Sequence, residues 1–204
     1  AEQCKLPSSH LISLPKHWSF IEGASVAEVF LTAYQCLFSI GQLENSQRVL
    51  IHAGASGVGT AAIQLAKAKE CQVIVTVGSD EKAKACIELG ADYAINYNQE
   101  DFVAWSKFNV PDGYNVIIDV VAGDYMNKNI GISAVDGHIV VLSMLGGRYA
   151  ENVDVAKMLQ KRVNISATTL RNRTNDYKTK LVNDFMHDFG FEPPNINPVI
   201  FTVL

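Results

Sequence analysis

Cysteine is scarce in this sequence. The four thiols, at positions 4, 36, 71 and 86, are too widely spaced for a zinc site, and no C-x-x-C occurs. They are read as reduced thiols of a cytoplasmic protein, packed as small hydrophobes. Basic charge is in deficit as well. Seventeen Lys and Arg against 21 Asp and Glu give a net charge of -4, which argues against a broad nucleic-acid or anionic-membrane surface. No run approaches the roughly 20 apolar residues of a membrane helix. The opening Ala1-Glu2-Gln3-Cys4-Lys5 lacks the basic and apolar regions of a signal peptide. What remains is ordinary globular composition, 48% hydrophobic and 19% charged, which excludes disordered, collagenous and coiled-coil chains. A domain of this length buries roughly 70% of its unfolded surface, enough for a core without metal or disulfides.

Residues 1–23 read as irregular, because Pro7 and Pro15 break any helix. From 24 to 40, Val26, Val29, Phe30, Ala33, Leu37 and Ile40 recur at helical spacing, with Gly41 as a stop. A β/α alternation then begins. Strands are expected at 48–53, 72–77, 93–96, 115–121, 138–143, 163–169 and 199–203. Helices are expected at 57–70, 80–89, 101–107, 125–133 and 175–188. Near-continuous Val/Ile strands are buried on both faces, the mark of a parallel sheet covered by helices. With right-handed crossovers this predicts an α/β, doubly wound Rossmann domain of about six strands.

The informative segment is His52-Ala53-Gly54-Ala55-Ser56-Gly57-Val58-Gly59-Thr60-Ala61, between the first strand of the series and its helix. There Gly54 suits a tight turn, Gly57 lets backbone approach a pyrophosphate, and Gly59 lets helix pack on strand. The helix N-terminus then offers free N–H groups and the positive end of its dipole. The spacing is G-x-x-G-x-G. No Lys follows Gly59, so it is not a P-loop. NAD binders carry an acid at the end of the second strand. Here Gly78-Ser79 occupy that place and Lys82 follows, which favours the 2′-phosphate of NADP; Asp80 and Glu81 compete for the ribose, although acids belong in a first helical turn on dipole grounds alone.

Together with its flanks, the chain resembles the zinc-free quinone oxidoreductases, the zeta-crystallin-like branch of the medium-chain dehydrogenase/reductases. The matching stretches are Ala27-Glu28-x-x-Leu31-Thr32-Ala33-Tyr34, the glycine segment through Leu65, Gly78-Ser79-x-x-Lys82, Leu89-Gly90-Ala91, Ile95-Asn96-Tyr97, Asp119-x-x-x-Gly123 and Gly146-Gly147, spread over most of residues 1–185. The resemblance implies NADPH binding and two-electron reduction of quinones or α,β-unsaturated carbonyls. By position, Ser56, Gly57, Val58, Gly59, Thr60 and Ala61, with Ala55 beside them, would hold the pyrophosphate. Ser79, Lys82 and Tyr97 would hold the adenosine end and its 2′-phosphate. Thr32 would lie near the nicotinamide, and Met144, Leu145 and Gly146 would flank its ribose and ring, with Leu170 and Arg171 in the same role. Asp119 is read as shaping a loop and His52 as a packed strand histidine. No residue is singled out as a catalytic acid, and no metal ligand is expected.

Members of that branch are longer. The chain is therefore expected to be a nucleotide-binding domain at 24–190, with 1–23 a linker or remnant of a catalytic domain and 191–204 the start of a return into it. An apolar face near Phe30, Tyr34 and Leu37 would then be left partly exposed. The sixth strand, at a sheet edge, is expected to pair into a homodimer. Two other readings stand beside the reductase: a non-catalytic NADPH-binding, dimerising module, and a Rossmann-like methyltransferase.

Overall fold

The structure is a computed structural model that describes residues 3–190. Six strands form one parallel sheet: β1 (Arg48–His52), β2 (Gln72–Val77), β3 (Tyr93–Asn96), β4 (Tyr114–Asp119), β5 (Ser133–Val141) and β6 (Asn164–Ala167). Their order is β3-β2-β1-β4-β5-β6 and every pairing is parallel. This is the doubly wound Rossmann arrangement, with its topological switch between β1 and β4. The expected strand at 199–203 and the C-terminal return lie outside the described residues.

The unbroken Val/Ile character of the strands follows from two buried faces. Val49 and Ile51 of β1, Val73, Val75 and Val77 of β2, and Val116 and Ile118 of β4 point into one core. Leu50, Ile74, Ile117 and Ile139 alternate with them into the other. The first core is covered by α1 (Phe20–Tyr34), α2 (Gly57–Ala68), Cys86 of α3 (Asp80–Glu88) and α7 (Asn175–Asp188). The second is covered by α4 (Phe102–Asn109), α5 (Tyr125–Ile132) and Met158 of α6 (Val155–Lys161).

Several sequence expectations are corrected. The first helix starts at Phe20, not 24, because Ser19 and Glu22 form a capping box that sets the N-terminus clear of Pro15. Its last six residues, Gln35–Ile40, widen into a π-helix. Together they make one helix long and apolar enough to cross a membrane, which the run-length reading did not register; here Val26, Phe30, Ala33 and Tyr34 of it lie in the protein core. The face at Phe30, Tyr34 and Leu37 is buried, not exposed: Phe185 and Phe189 pack on it, and the Tyr34 hydroxyl donates to Asp188 at 2.6 Å. The large exposed apolar side chains of this helix are instead Phe20 and Ile21. Helix α6, seven residues without a buried side chain, was not expected. β6 is shorter than expected and forms the sheet edge. All four cysteines are free, but Cys4 is exposed while the others are buried.

Candidate functional site

The topological switch lies between β1 and β4, and the candidate cleft opens at the carboxyl ends of the strands on the β1 side, between the loop leaving β1 and the ends of β2 and β3. The β1–α2 turn is built differently from the expectation. The left-handed residue is Ala53, at φ +55°, not Gly54. Gly54 is required for a steric reason: a Cβ there would lie 2.5 Å from Cβ of Val75 in β2. Gly59 does what the spacing predicts. A Cβ would meet the carbonyl oxygens of Ala53 and Gly54 at 2.5 Å, so only glycine lets α2 sit this close to β1. The Ser56 hydroxyl caps α2 by accepting from the Gly59 amide at 3.1 Å. The amides of Gly57 and Val58 have no partner among the described residues and point out of the first turn.

In front of this turn lies a cleft of about 190 Å³ lined by Ala53, Ala55, Ser56, Val77, Gly78, Lys82 and Tyr97. The structure thus brings Ala55, Ser56, Lys82 and Tyr97 of the expected set together. Gly78 makes room for the tyrosine, since a Cβ on it would sit 2.6 Å from the Tyr97 Oη. Asn98 holds the turn by donating from Nδ2 to the Gly78 carbonyl at 2.8 Å. Nothing in the local sequence marks Asn98 for this task, because its partner lies twenty residues away, just past the end of β2. Asp80 does not contest the cleft. Its carboxylate accepts from Asn96 Nδ2 at 2.7 Å and from Gln99 Nε2 at 3.0 Å, and these bonds hold it below the usual carboxylate range. Lys82 makes no ion pair among the described residues.

The other expected residues are placed elsewhere. Ser79 caps α3, accepting from the Lys82 amide. Thr60 and Ala61 are buried behind the turn, and the Thr60 hydroxyl donates to the Gly57 carbonyl. Thr32 is buried in α1 and donates to Glu28 at 3.0 Å. Glu28, Leu170 and Arg171 line a separate cavity of about 610 Å³ between α1 and α7. Met144 and Leu145 are exposed on the loop after β5. That loop is bonded to the β4 exit: the amides of Leu145 and Gly146 donate to the carbonyls of Val120 and Val121 at 3.1 and 2.7 Å.

Beneath the switch point runs a buried polar chain. Asp119 accepts from the amides of Val121 and Ala122 at 2.7 and 2.9 Å through Oδ1, and from Asn129 Nδ2 at 3.0 Å through Oδ2. That bond fixes the Asn129 amide, so its Oδ1 must accept from His52 Nε2 at 2.9 Å. His52 is therefore the Nε2–H tautomer, with Nδ1 accepting from the Thr76 hydroxyl at 3.0 Å. Asp119 shapes the loop and His52 is packed, as expected; Asn129 was not anticipated.

Burial pushes the His52 imidazole below its ordinary value of 6.5, against the opposing effects of Asn129 and Asp119. Below about pH 6.5 the unfolded chain takes up a proton that folded His52 refuses, so stability falls by up to about 1.4 kcal/mol per pH unit. Urea unfolding at pH 7.5 and 5.5 is expected to show a larger acid loss for the wild type than for His52→Gln. The same loss in both proteins would remove His52 as its source.

Among the described residues no three His, Cys, Asp or Glu side chains converge on a metal site. The family model described as zinc-binding dehydrogenase matches residues 57–187. Quinone oxidoreductase-like protein 2 of Mus musculus is 33% identical over 172 residues, 83% of this chain and 48% of its own. Quinone oxidoreductase of Pongo abelii is 27% identical over 173 residues, 84% of this chain and 52% of its own. The crystal structure of Escherichia coli quinone oxidoreductase complexed with NADPH superposes with a TM-score of 0.74 at 28% identity, covering 85% of this chain and 54% of that one. The chain thus spans about half the length of these relatives, and less of others such as the human synaptic vesicle membrane protein VAT-1 homolog, at 36%.

Proposed function

Because the chain belongs to the zinc-binding dehydrogenase family, we propose that it is the cofactor-holding part of an NADPH-dependent oxidoreductase that reduces a quinone or an α,β-unsaturated carbonyl. The observation that carries this reading is the cleft before α2, lined by Ser56, Lys82 and Tyr97, next to a first helical turn whose Gly57 and Val58 amides have no partner among the described residues, where Lys82 makes no ion pair either. The fit is steric as well. Gly57 lacks a Cβ where the first turn of α2 must be approached, Gly78 lets Tyr97 line the cleft, and Asp80 is tied to Asn96 and Gln99 instead of reaching a ribose. The names of the quinone oxidoreductase relatives, and the NADPH in the Escherichia coli protein's title, support the same reading.

In this account Ser56, Gly57 and Val58 hold the pyrophosphate at the positive end of α2. Gly59, Thr60 and Ala61 act from behind by seating the helix. Lys82 and Tyr97 hold the 2′-phosphate and adenosine. Met144, Leu145 and Gly146, tied to the β4 exit, flank the nicotinamide end. A reduced nicotinamide supplies a hydride to an electron-poor carbon; the residues here place it and keep it oriented. A cation on the 2′-phosphate sets the preference for NADPH over NADH. Lys82→Ala is therefore expected to weaken NADPH binding about tenfold and leave NADH unchanged, read by fluorescence titration. Equal losses for both nucleotides, or none, would place the 2′-phosphate elsewhere.

A further inference from the structure

Gln35 is fully buried and opens the π-helical segment. Its Nε2 donates to the hydroxyl of Thr168, the residue that follows β6. Its Oε1 is buried and has no partner among the described residues. An orphaned amide oxygen in a core costs stability that an apolar side chain of the same length would not. Local faults of this kind are kept where a site needs the group. The π-turn that carries Gln35 is a second mark of that sort, since such turns fall often at functional sites.

Thr168 is where Gln35 acts. It is 6% exposed, and with Ser143 and Met144 it lines a hollow of about 640 Å³ beyond the carboxyl ends of β5 and β6. Met144 lies on the loop that the reductase reading places at the nicotinamide end, so this hollow continues the cofactor site. The Thr168 backbone is fixed, because its amide donates to the Val141 carbonyl at 3.0 Å. What the backbone leaves open is the direction of the hydroxyl hydrogen. The hydroxyl oxygen has two lone pairs. One accepts from Gln35 Nε2, and the other from an Nη of Arg173 at 3.0 Å. Arg173 is itself steadied by the Tyr177 ring, 4.5 Å from its guanidinium. With both lone pairs taken, the hydroxyl can only donate, and its hydrogen has no acceptor among the described residues. Arg173 alone would leave one lone pair free, and the hydroxyl could turn round and accept. Gln35 removes that choice from the core side, since it does not line the hollow.

We propose that Gln35 is a positioning residue that makes the Thr168 hydroxyl a fixed donor to an oxygen at the nicotinamide end of the cofactor. Gln35 touches no ligand itself. The carboxamide carbonyl of a nicotinamide and the hydroxyls of its ribose are acceptors of the required kind. The inference rests on the reductase reading for the identity of that ligand.

The test is calorimetric titration of Gln35→Met, which keeps the length of the side chain without its amide. The two ligands are NADPH and 2′,5′-ADP, the adenosine end of the same cofactor without the nicotinamide. NADPH binding is expected to weaken about fivefold, and 2′,5′-ADP binding to stay as in the wild type. The melting temperature is expected to be no lower than that of the wild type, because the orphaned oxygen leaves with the amide. Thr168→Val is expected to weaken NADPH binding by a similar factor. The double variant is expected to lose nothing further, since Gln35 acts only through that hydroxyl. A glutamine that merely held the fold would behave differently, lowering the melting temperature and weakening both ligands together. A melting temperature well below the wild type, parallel losses for the two ligands, unchanged NADPH binding in Gln35→Met, or losses that add in the double variant would each overturn the proposal. Failure of the reductase reading has its own signature: the wild-type chain then binds neither NADPH nor 2′,5′-ADP.

Discussion

Replacing Asp119 by alanine is expected to destabilise the domain by about 4 kcal/mol. The carboxylate is fully buried and accepts three hydrogen bonds, from the amides of Val121 and Ala122 and from Asn129. Alanine leaves all three donors without an acceptor, at about 1–3 kcal/mol each when no water reaches them. The loss propagates to the site. Val120 and Val121 carry the carbonyls that bind Leu145 and Gly146, so the loop after β5 loses its anchor along with the turn. Asp119→Asn is a sharper probe. Its oxygen can keep the two amides, but its NH2 then faces the NH2 of Asn129. Relief requires Asn129 to flip, which turns its NH2 toward His52 Nε2 and forces the imidazole to the Nδ1–H tautomer, donating to Thr76. The chain of bonds can therefore re-form with every polarity reversed. A milder cost of about 1–2 kcal/mol is expected, together with a tautomer change visible in the nitrogen shifts of His52. Equal urea midpoints for wild type and Asp119→Ala would show that the buried chain does not hold the switch point.

Gly59→Ala is the second large effect. The added methyl meets backbone oxygens of Ala53 and Gly54 at 2.5 Å, and backbone cannot swing aside as a side chain does. Helix α2 must lift from β1, which strains a fully buried contact around Ala61, Ala62 and Ile63. A loss of about 3 kcal/mol is expected, with nucleotide binding lost alongside. Gly57→Ala separates the two consequences. There the methyl meets only Cγ1 of Val29, at 3.0 Å, on a side chain that can yield. Stability is expected to change by less than about 1 kcal/mol while NADPH binding falls, because the methyl stands where phosphate oxygens approach the free amides. If Gly57→Ala binds NADPH as the wild type does, the first turn of α2 is not the phosphate site.

The parallel sheet was legible because its signal is local. Val49-Leu50-Ile51 and Val116-Ile117-Ile118 are apolar at every position, which only a strand buried on both faces requires. Helix α7 was legible at both ends because Thr174 caps it and its apolar spacing is regular. Helix α6 was not legible: it contributes no buried side chain, so no periodicity marked it. The start of α1 was written in the sequence as Ser19-x-x-Glu22 and was masked by the prolines before it. Within the site, the glycine loop could be placed from spacing, but not the reason for each glycine. Gly54 depends on Val75, and the left-handed turn falls on Ala53. What required three dimensions was pairing across distance. Asp80 is neutralised as a competitor by Asn96, sixteen residues on, and the face at Phe30 and Tyr34 is covered by Phe185. The buried bond from Gln35 to Thr168 belongs to the same class, since it spans 133 residues of sequence.

The central claim is that α2, Lys82 and Tyr97 form a site for a nicotinamide nucleotide bearing a 2′-phosphate. Calorimetric titration of this chain with NADPH and, in parallel, NADH tests it most directly, with amide NMR of Gly57 and Val58 followed in the same samples. The account predicts tighter binding of NADPH, by about tenfold or more, and large shifts of those two amides with either nucleotide. Equal affinities would contradict the assignment of Lys82 to the 2′-phosphate, and binding that leaves the two amides unmoved would contradict the site itself.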